Sequence, residues 1–128
     1  MGEIIRISCE KCDFEKKIKM GAGMMSIRAD VVEQNLHGKD LEQWQGILRE
    51  KKVRFFSWEY EPALCDICNE LQSCFVVKID TIEGKKICLG RKCKICQNEA
   101  REILQSDDIK CPNCGQAGIN SLLIGNWD

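Results

Sequence analysis

The sequence predicts an α+β fold in which β-hairpins carry four Cys-x-x-Cys turns and are accompanied by two or three short helices. Several short segments alternate between apolar and polar residues with a period of two, which is typical of half-buried strands. Residues 26–52 instead show apolar positions at helical spacing. Eight of the ten cysteines fall into four pairs with the same two-residue gap. At 128 residues and 44% hydrophobic content, the chain can bury an ordinary core.

Residues 3–20 predict a strand, a cysteine turn and a second strand. Ile5, Ile7 and Cys9 share one parity before the turn. After it, Phe14, Ile18 and Met20 share one parity, and the charged residues Glu15, Lys17 and Lys19 take the other. Gly21-Ala22-Gly23 ends the alternation, and we expect a tight connection to the next element there.

Residues 26–52 predict two helices packed on a sheet. We expect Ser26 to cap the first helix and Gly38 to end it, and we expect Asp40 to cap the second. The apolar positions of the two helices are Ile27, Val31, Val32, Leu41, Trp44, Ile47 and Leu48.

The rest of the chain predicts strands with one further helix. Residues 53–61 alternate, with Phe56, Trp58 and Tyr60 on one side, and Pro62 is expected to end this strand. Residues 74–89 predict a hairpin that turns near Glu83-Gly84, which would place Cys88 opposite Ile79 and Cys74 opposite Cys93. A short helix over 98–105 and a last strand over 119–127 complete the prediction.

The four Cys-x-x-Cys turns, which we call knuckles, carry the strongest chemical signal. One knuckle brings two sulfurs to one point, and two knuckles supply the tetrahedral four-thiolate shell that zinc accepts. Four knuckles therefore predict two structural Zn²⁺ ions per chain. The predicted ligands are Cys9, Cys12, Cys65, Cys68, Cys93, Cys96, Cys111 and Cys114.

Two pairings of the knuckles are compatible with the sequence. A sequential scheme joins the first knuckle with the second and the third with the fourth. A nested scheme joins the second with the third across the 74–89 hairpin and brings the two chain ends together around the other zinc. We favour the nested scheme because it gives each zinc its two knuckles with adjoining strands.

The last knuckle reads Cys111-Pro112-Asn113-Cys114-Gly115. Proline fixes the first dihedral of the turn, and Gly115 permits a positive φ. This form resembles the knuckles of zinc-ribbon and rubredoxin-like proteins, and the N-terminal half is similar to small bacterial zinc-ribbon proteins. Together with the helical spacing over 26–52 and the nested scheme, the resemblance leads us to expect a single zinc-ribbon domain over 1–128, with a helical insertion at about 26–52 and a central ribbon at about 60–97. It implies a metal-stabilised binding or scaffold module and no reaction.

The two remaining cysteines, Cys74 and Cys88, are interpreted as small buried hydrophobic residues. Cys93 and Cys96 precede the predicted helix at 98–105, and a helix N-terminus lowers a thiol pKa, so a thiol oxidoreductase is the lowest-ranked hypothesis. A redox enzyme needs one such motif in a βαβ setting, whereas this chain has four. We therefore expect no enzymatic activity.

The charge of the chain bears on whether it binds nucleic acid or membranes. The net charge is −1, which argues against strong non-specific attraction to nucleic acid or membranes. A local basic cluster at Lys85, Lys86, Arg91, Lys92 and Lys94 leaves a nucleic-acid-binding zinc ribbon as the alternative. No signal-peptide pattern is visible at the N-terminus, so we expect a cytoplasmic protein. The favoured hypothesis is a structural zinc-binding interaction module with a protein partner and no membrane association.

Overall fold

The computed structural model describes residues 2–22, 28–103 and 110–127. It is a mixed fold of antiparallel strands in two sheets with two helices, which agrees with the predicted α+β class. In chain order the elements are β1 (Gly2–Cys9), β2 (Glu15–Met20), α1 (Ala29–Asn35), α2 (Gly38–Arg49), β3 (Val53–Cys65), β4 (Glu70–Thr81), β5 (Lys86–Gly90), β6 (Arg101–Glu102) and β7 (Ile119–Trp127).

The smaller sheet has the strand order β2-β1-β7 and joins the two ends of the described chain. Its central strand pairs with β2 through Ile5↔Ile18 and with β7 through Cys9↔Ile119. Ile7, Ile18 and Ile119 are buried, as the alternation predicts for one face of a half-buried sheet. The predicted strand–turn–strand over 3–20 and the last strand are confirmed.

The larger sheet has the order β5-β4-β3-β6 and contains the predicted hairpin. Its register differs from the expectation by one residue, because the connection is closed between Thr81 and Lys85, where the Thr81 N–H donates to the Lys85 carbonyl over 2.9 Å. Cys88 consequently lies opposite Lys78 rather than Ile79. The sulfur of Cys74 donates to the carbonyl of Lys92, 3.5 Å away, and does not face Cys93 as predicted.

Pro62 does not end its strand, which continues for three further residues to the second knuckle. The carbonyl of Pro62 accepts a hydrogen bond from the Ile103 N–H at 3.1 Å, so the backbone of Pro62 faces away from β4. Because the N–H and C=O of one strand residue point to the same edge, the proline removes no donor from the β3–β4 ladder.

The two helices differ from the prediction at their ends. Ser26 and Ile27 lie outside the described residues, as does Gly23. Gly38, expected to stop the first helix, is instead the first residue of α2, and Asp40 lies in its first turn while His37 occupies the N-cap position. The predicted apolar positions that the structure describes are confirmed in the packing, with Val32 and Trp44 fully buried.

The helix predicted over 98–105 is wrong for the part that the structure describes; residues 104 and 105 lie outside it. This segment is extended instead. The Ala100 N–H donates to the Arg91 carbonyl at 2.9 Å, and β6 pairs with Ala63 and Leu64. Ala100 and Ile103 are buried as the helical pattern required, but they reach the core from an extended chain.

Backbone and side-chain contacts join the two sheets. Gly21 and Tyr60 exchange backbone hydrogen bonds of 2.8 and 2.9 Å, which link the end of β2 to the edge of β3 that faces away from β4. The Ser73 hydroxyl donates to the Lys19 carbonyl at 2.6 Å. Around these contacts the core divides into one cluster beside the smaller sheet and one between the larger sheet and the helices, where Phe56, Trp58 and Tyr60 pack as predicted.

Candidate metal centres

The structure gathers the eight predicted cysteine ligands into two groups of four. Within each group the sulfur atoms all lie within 4.8 Å of one another. The arrangement is the nested one: the first and fourth knuckles meet, and the second and third meet. We call the first group, Cys9, Cys12, Cys111 and Cys114, the terminal centre. We call the second group, Cys65, Cys68, Cys93 and Cys96, the central centre.

The sulfur separations fit a shared metal ion. The Sγ atoms of Cys9 and Cys114 are 3.7 Å apart, and those of Cys12 and Cys111 are 3.6 Å apart. In the central centre, the Sγ atoms of Cys65 and Cys96 are 3.5 Å apart. Four sulfurs about 2.3 Å from one zinc ion at tetrahedral angles stand about 3.8 Å apart, whereas a disulfide bond is about 2.05 Å long. All ten cysteines are free.

The two strands that lead into the terminal centre explain how residues at opposite ends meet. Cys9 ends β1, and Ile119, five residues beyond Cys114, pairs with it at the start of β7. The central centre is built in the same way. Cys65 ends β3, and Cys93 follows β5, so the three-stranded part β5-β4-β3 brings both knuckles to one end of the larger sheet.

Each knuckle directs backbone N–H groups at the sulfur of its first cysteine. The donors are Lys11 to Cys9 at 3.3 Å, Cys68 to Cys65 at 3.4 Å, Ile95 to Cys93 at 3.4 Å and Asn113 to Cys111 at 3.4 Å. In three knuckles the residue after the second cysteine has a positive φ: Asn69 at 53°, Gln97 at 65° and Gly115 at 75°. The prediction for Gly115 is confirmed. These N–H donors favour charged sulfur, which is the form that binds a metal.

Two amide side chains add donors that the sequence did not reveal. Gln72 is 4% exposed, and its Nε2 donates to the Cys93 sulfur over 3.3 Å while its Oε1 accepts from the Lys94 N–H at 2.8 Å. In the terminal centre, the Asn113 Nδ2 donates to the Cys12 sulfur at 3.5 Å. The sequence signal for Gln72 is a polar residue within a strand that is otherwise buried. It could not be recognised because residue 72 lies before the hairpin predicted over 74–89.

The closeness of the four sulfurs in each centre and the pKa values of their thiols favour a bound cation. Burial opposes ionisation of Cys93, yet hydrogen bonds from the Cys96 backbone, Gln72 and the Ile95 backbone lower its pKa to about 6. Neighbouring Cys96 is the main cause that raises the pKa of Cys68 to about 12, with burial second. In the terminal centre, the Asn113 side chain is the main cause that lowers the pKa of Cys12 to about 7. Because close thiolates repel one another, four can ionise together only around a positive ion.

The two remaining cysteines differ from each other. Cys74 is 1% exposed, and burial raises its pKa to about 11, so it is the buried thiol that we expected. Cys88 is exposed, and the prediction that it is buried is wrong. It lies on the same face of the sheet as exposed Lys78, whereas its neighbour Leu89 points into the core.

Comparisons with protein-family models, with curated proteins and with solved structures find no match to this chain. In the part of the chain that the structure describes, no helix has the length and apolar character needed to cross a membrane.

Proposed function

We propose that the chain binds two structural Zn²⁺ ions, one in each centre, and acts as a cytoplasmic zinc-ribbon interaction module with a protein partner. The observation that carries the proposal is the grouping of eight sulfurs into two sets whose spacing matches a tetrahedral metal shell. Tetrahedral four-sulfur sites in proteins hold zinc or iron. Zinc is the better candidate because the four protein ligands close its shell and it needs no redox partner.

A closed shell supports a structural role. With four cysteine sulfurs around one ion, no position is left for water or substrate, and we infer no catalytic chemistry. Binding energy from such an ion is folding energy, on the order of 10–16 kcal/mol in zinc-finger peptides. The terminal centre would join the chain's two ends, and the central centre would hold one end of the larger sheet.

Metal analysis combined with native mass spectrometry of zinc-replete protein tests this proposal. We expect a mass corresponding to the chain plus two zinc ions. The double substitution of Cys12 and Cys114 by serine should leave one zinc. A wild-type chain that retains no metal, or that holds iron in both centres, would contradict the proposal.

A protein partner is supported by the exposed tips of the central centre. Ile67 and Ile95 occupy the third position of its two knuckles and are 71% and 66% exposed. The same positions in the terminal centre carry Lys11 and Asn113, so a knuckle does not require isoleucine there. Two exposed aliphatic side chains at equivalent positions are suited to an apolar protein surface.

The tips give a direct test of the interaction module. Substituting both Ile67 and Ile95 with serine should abolish capture of a lysate protein that wild-type protein binds, while both zinc ions remain bound. The matched control substitutes exposed Ile82, which lies on the hairpin connection, with serine. Capture that is equally strong for both variants would contradict a partner surface at the tips.

Two alternatives, a nucleic-acid-binding zinc ribbon and a thiol oxidoreductase, receive less support from the residues around the basic cluster and the third knuckle. Arg91, from the basic cluster, pairs with Glu61 at 2.6 Å and with Glu102 at 3.7 Å, and Lys92 pairs with Glu99 at 3.4 Å. These carboxylates reduce the local positive charge that phosphates would need. The oxidoreductase alternative required a helix after Cys96, and the chain there is extended. Binding to nucleic acid that weakens steeply with salt would restore the first alternative.

A further inference from the structure

The outer edge of β7 is the most exposed apolar segment of the smaller sheet. Three consecutive residues on it are large and exposed: Leu122 at 55%, Leu123 at 56% and Ile124 at 40%. Within the part of the chain that the structure describes, β7 pairs with β1 on one side and with no strand on the other. The strand Ile119–Trp127 contains no charged residue.

The hydrogen-bond pattern identifies which backbone groups face the open side. The Glu10 N–H donates to the Gly118 carbonyl at 3.0 Å, immediately before the Cys9↔Ile119 pair. Because alternate residues of an antiparallel strand bond to the same neighbour, Asn120 and Leu122 bond toward β1. Ser121 and Leu123 therefore direct their N–H and C=O groups to the open side.

The opposite edge of the same sheet is protected. It is formed by β2, whose sequence is Glu15-Lys16-Lys17-Ile18-Lys19-Met20. Lys16 forms an ion pair with Glu70, and the Lys19 carbonyl accepts the Ser73 hydroxyl, so β4 lies against this edge. Lysines and a covering strand are the devices with which proteins prevent edge pairing. Residues 119–127 of β7 contain no proline and no charged residue.

We propose that β7 pairs antiparallel with β7 of a second copy of this chain, so that two three-stranded sheets form one six-stranded sheet. An uncharged strand is complementary to itself, because antiparallel pairing brings no like charges opposite one another. Pairing satisfies the outward groups of Ser121 and Leu123 and places the exposed side chains of residues 122–124 beside those of the second strand. The dimer is isologous and closes with two subunits. The proposal is independent of which metal the two centres hold.

Sedimentation equilibrium of the full, metal-loaded chain tests the dimer. Wild-type protein should have twice the chain mass at micromolar concentration and dissociate on dilution. Substitution of Leu123 with lysine should weaken dimerisation by about tenfold or more, because it places like charges near one another across the new pair. The matched control is Ile82→Lys, which adds the same charge at an exposed isoleucine outside β7 and should leave the dimer unchanged.

Backbone hydrogen exchange of the wild-type protein provides a second measurement that needs no variant. The amides of Ser121 and Leu123 should exchange slowly in the dimer and faster as the protein is diluted, while those of Asn120 and Leu122 stay protected by β1. A wild-type chain that is monomeric at high micromolar concentration overturns the proposal. So does a dimer in which these two outward amides exchange freely, or one that Leu123→Lys and Ile82→Lys weaken equally.

Discussion

The side-chain amide of Gln72 bonds twice to the start of the third knuckle: its Nε2 donates to the Cys93 sulfur over 3.3 Å and its Oε1 accepts from the Lys94 N–H over 2.8 Å. Gln72 lies on β4, between the two strands that lead to the central centre. One buried side chain thus fixes the orientation of a proposed metal ligand and favours its charged form. Hydrogen bonds from neighbouring residues to a metal ligand orient that ligand and contribute to metal affinity.

Substitution of Gln72 with leucine should therefore loosen the central centre alone. The leucine keeps a similar volume but removes the donor to Cys93 and leaves the Lys94 N–H without its acceptor. Loss of such a contact lowers metal affinity by about 10–100-fold, so one of the two zinc ions should transfer faster to a competing chelator. Release kinetics followed with a zinc-sensitive dye measure this.

The matched control is Asn113→Ala, which removes the corresponding amide donor to Cys12 in the terminal centre. It should speed the release of the other zinc ion. If neither substitution changes the release of either ion, the amide contacts do not tune the centres.

A second prediction concerns which ligands share an ion. Cys9→Ser and Cys114→Ser should labilise the same zinc ion, and Cys68→Ser and Cys96→Ser should labilise the other. The physical reason is that each ion depends on four sulfurs within 4.8 Å of one another. Double variants within one group should lose one ion in native mass spectrometry, whereas Cys9→Ser combined with Cys68→Ser should affect both ions. Loss of a single ion from that last combination would exclude the nested arrangement.

Local patterns in the sequence predicted the parts of the fold that depend on local chemistry. Alternation identified β1, β2 and the first part of β3, and the repeated gap identified all eight cysteines that the structure groups. The nested arrangement joins Cys9 to Cys114 across nearly the whole chain, and spacing alone left it open beside the sequential one. Only the pairing of β1 with β7 brings those residues together.

The errors arose where local pattern and tertiary contact disagree. Ala100 and Ile103 have helical spacing, but their N–H groups bond to the carbonyls of Arg91 and Pro62, so strand pairing determines the conformation. Gln72 was missed because a buried amide acquires its role only from the knuckle packed against it. Cys88 was expected to be buried because unpaired cysteines usually are, but it lies opposite exposed Lys78 and not, as predicted, opposite buried Ile79.

A third prediction separates the two cysteines outside the centres. A thiol-alkylating reagent should label native, zinc-loaded protein at Cys88 and not at Cys74. Cys88 is exposed, whereas burial raises the pKa of Cys74 to about 11 and keeps it a neutral, inaccessible thiol at pH 7. Peptide mass spectrometry after brief labelling measures this, and Cys88→Ala serves as the control that should show no label. Labelling of Cys74 in the native protein would contradict its burial.

Replacement of the same two residues by alanine should change stability differently while leaving the zinc content at two ions. Cys74→Ala removes a fully buried sulfur and should cost about 1 kcal/mol, since it creates a small cavity. Cys88→Ala should stay within about 0.5 kcal/mol. Denaturant unfolding of both variants provides the comparison, and a lost zinc ion in Cys74→Ala would make Cys74 a ligand.

The last prediction concerns the ion pairs on the face of the larger sheet opposite to that of Trp58 and Tyr60. Glu61 is 6% exposed and receives Arg91 at 2.6 Å and Lys78 at 3.0 Å, whereas Glu59 pairs with Lys78 alone at 2.6 Å. Glu61→Gln should therefore lower the free energy of unfolding by about 2 kcal/mol, because the half-buried Arg91 loses the nearer of its two charged partners and keeps only Glu102 at 3.7 Å. Glu59→Gln, the matched control, should cost about 0.5 kcal/mol, as is usual for more exposed pairs.

The pH dependence of that difference follows from the Glu61 carboxyl. Burial acts to raise its pKa, but hydrogen bonds from Arg91 and Lys78 outweigh it, so the pKa in the folded chain lies below its ordinary value. A lowered carboxyl pKa contributes stability at neutral pH that is lost as the pH falls through the folded-state value. The stability gap between wild-type protein and Glu61→Gln should consequently be full at pH 7 and shrink on acidification, measured by urea unfolding at each pH. Comparison with Glu59→Gln under the same conditions removes the effect of acid on the two metal centres, which both variants share. A gap that stays constant from neutral to acidic pH would show that Glu61 acts through packing and not through its charge.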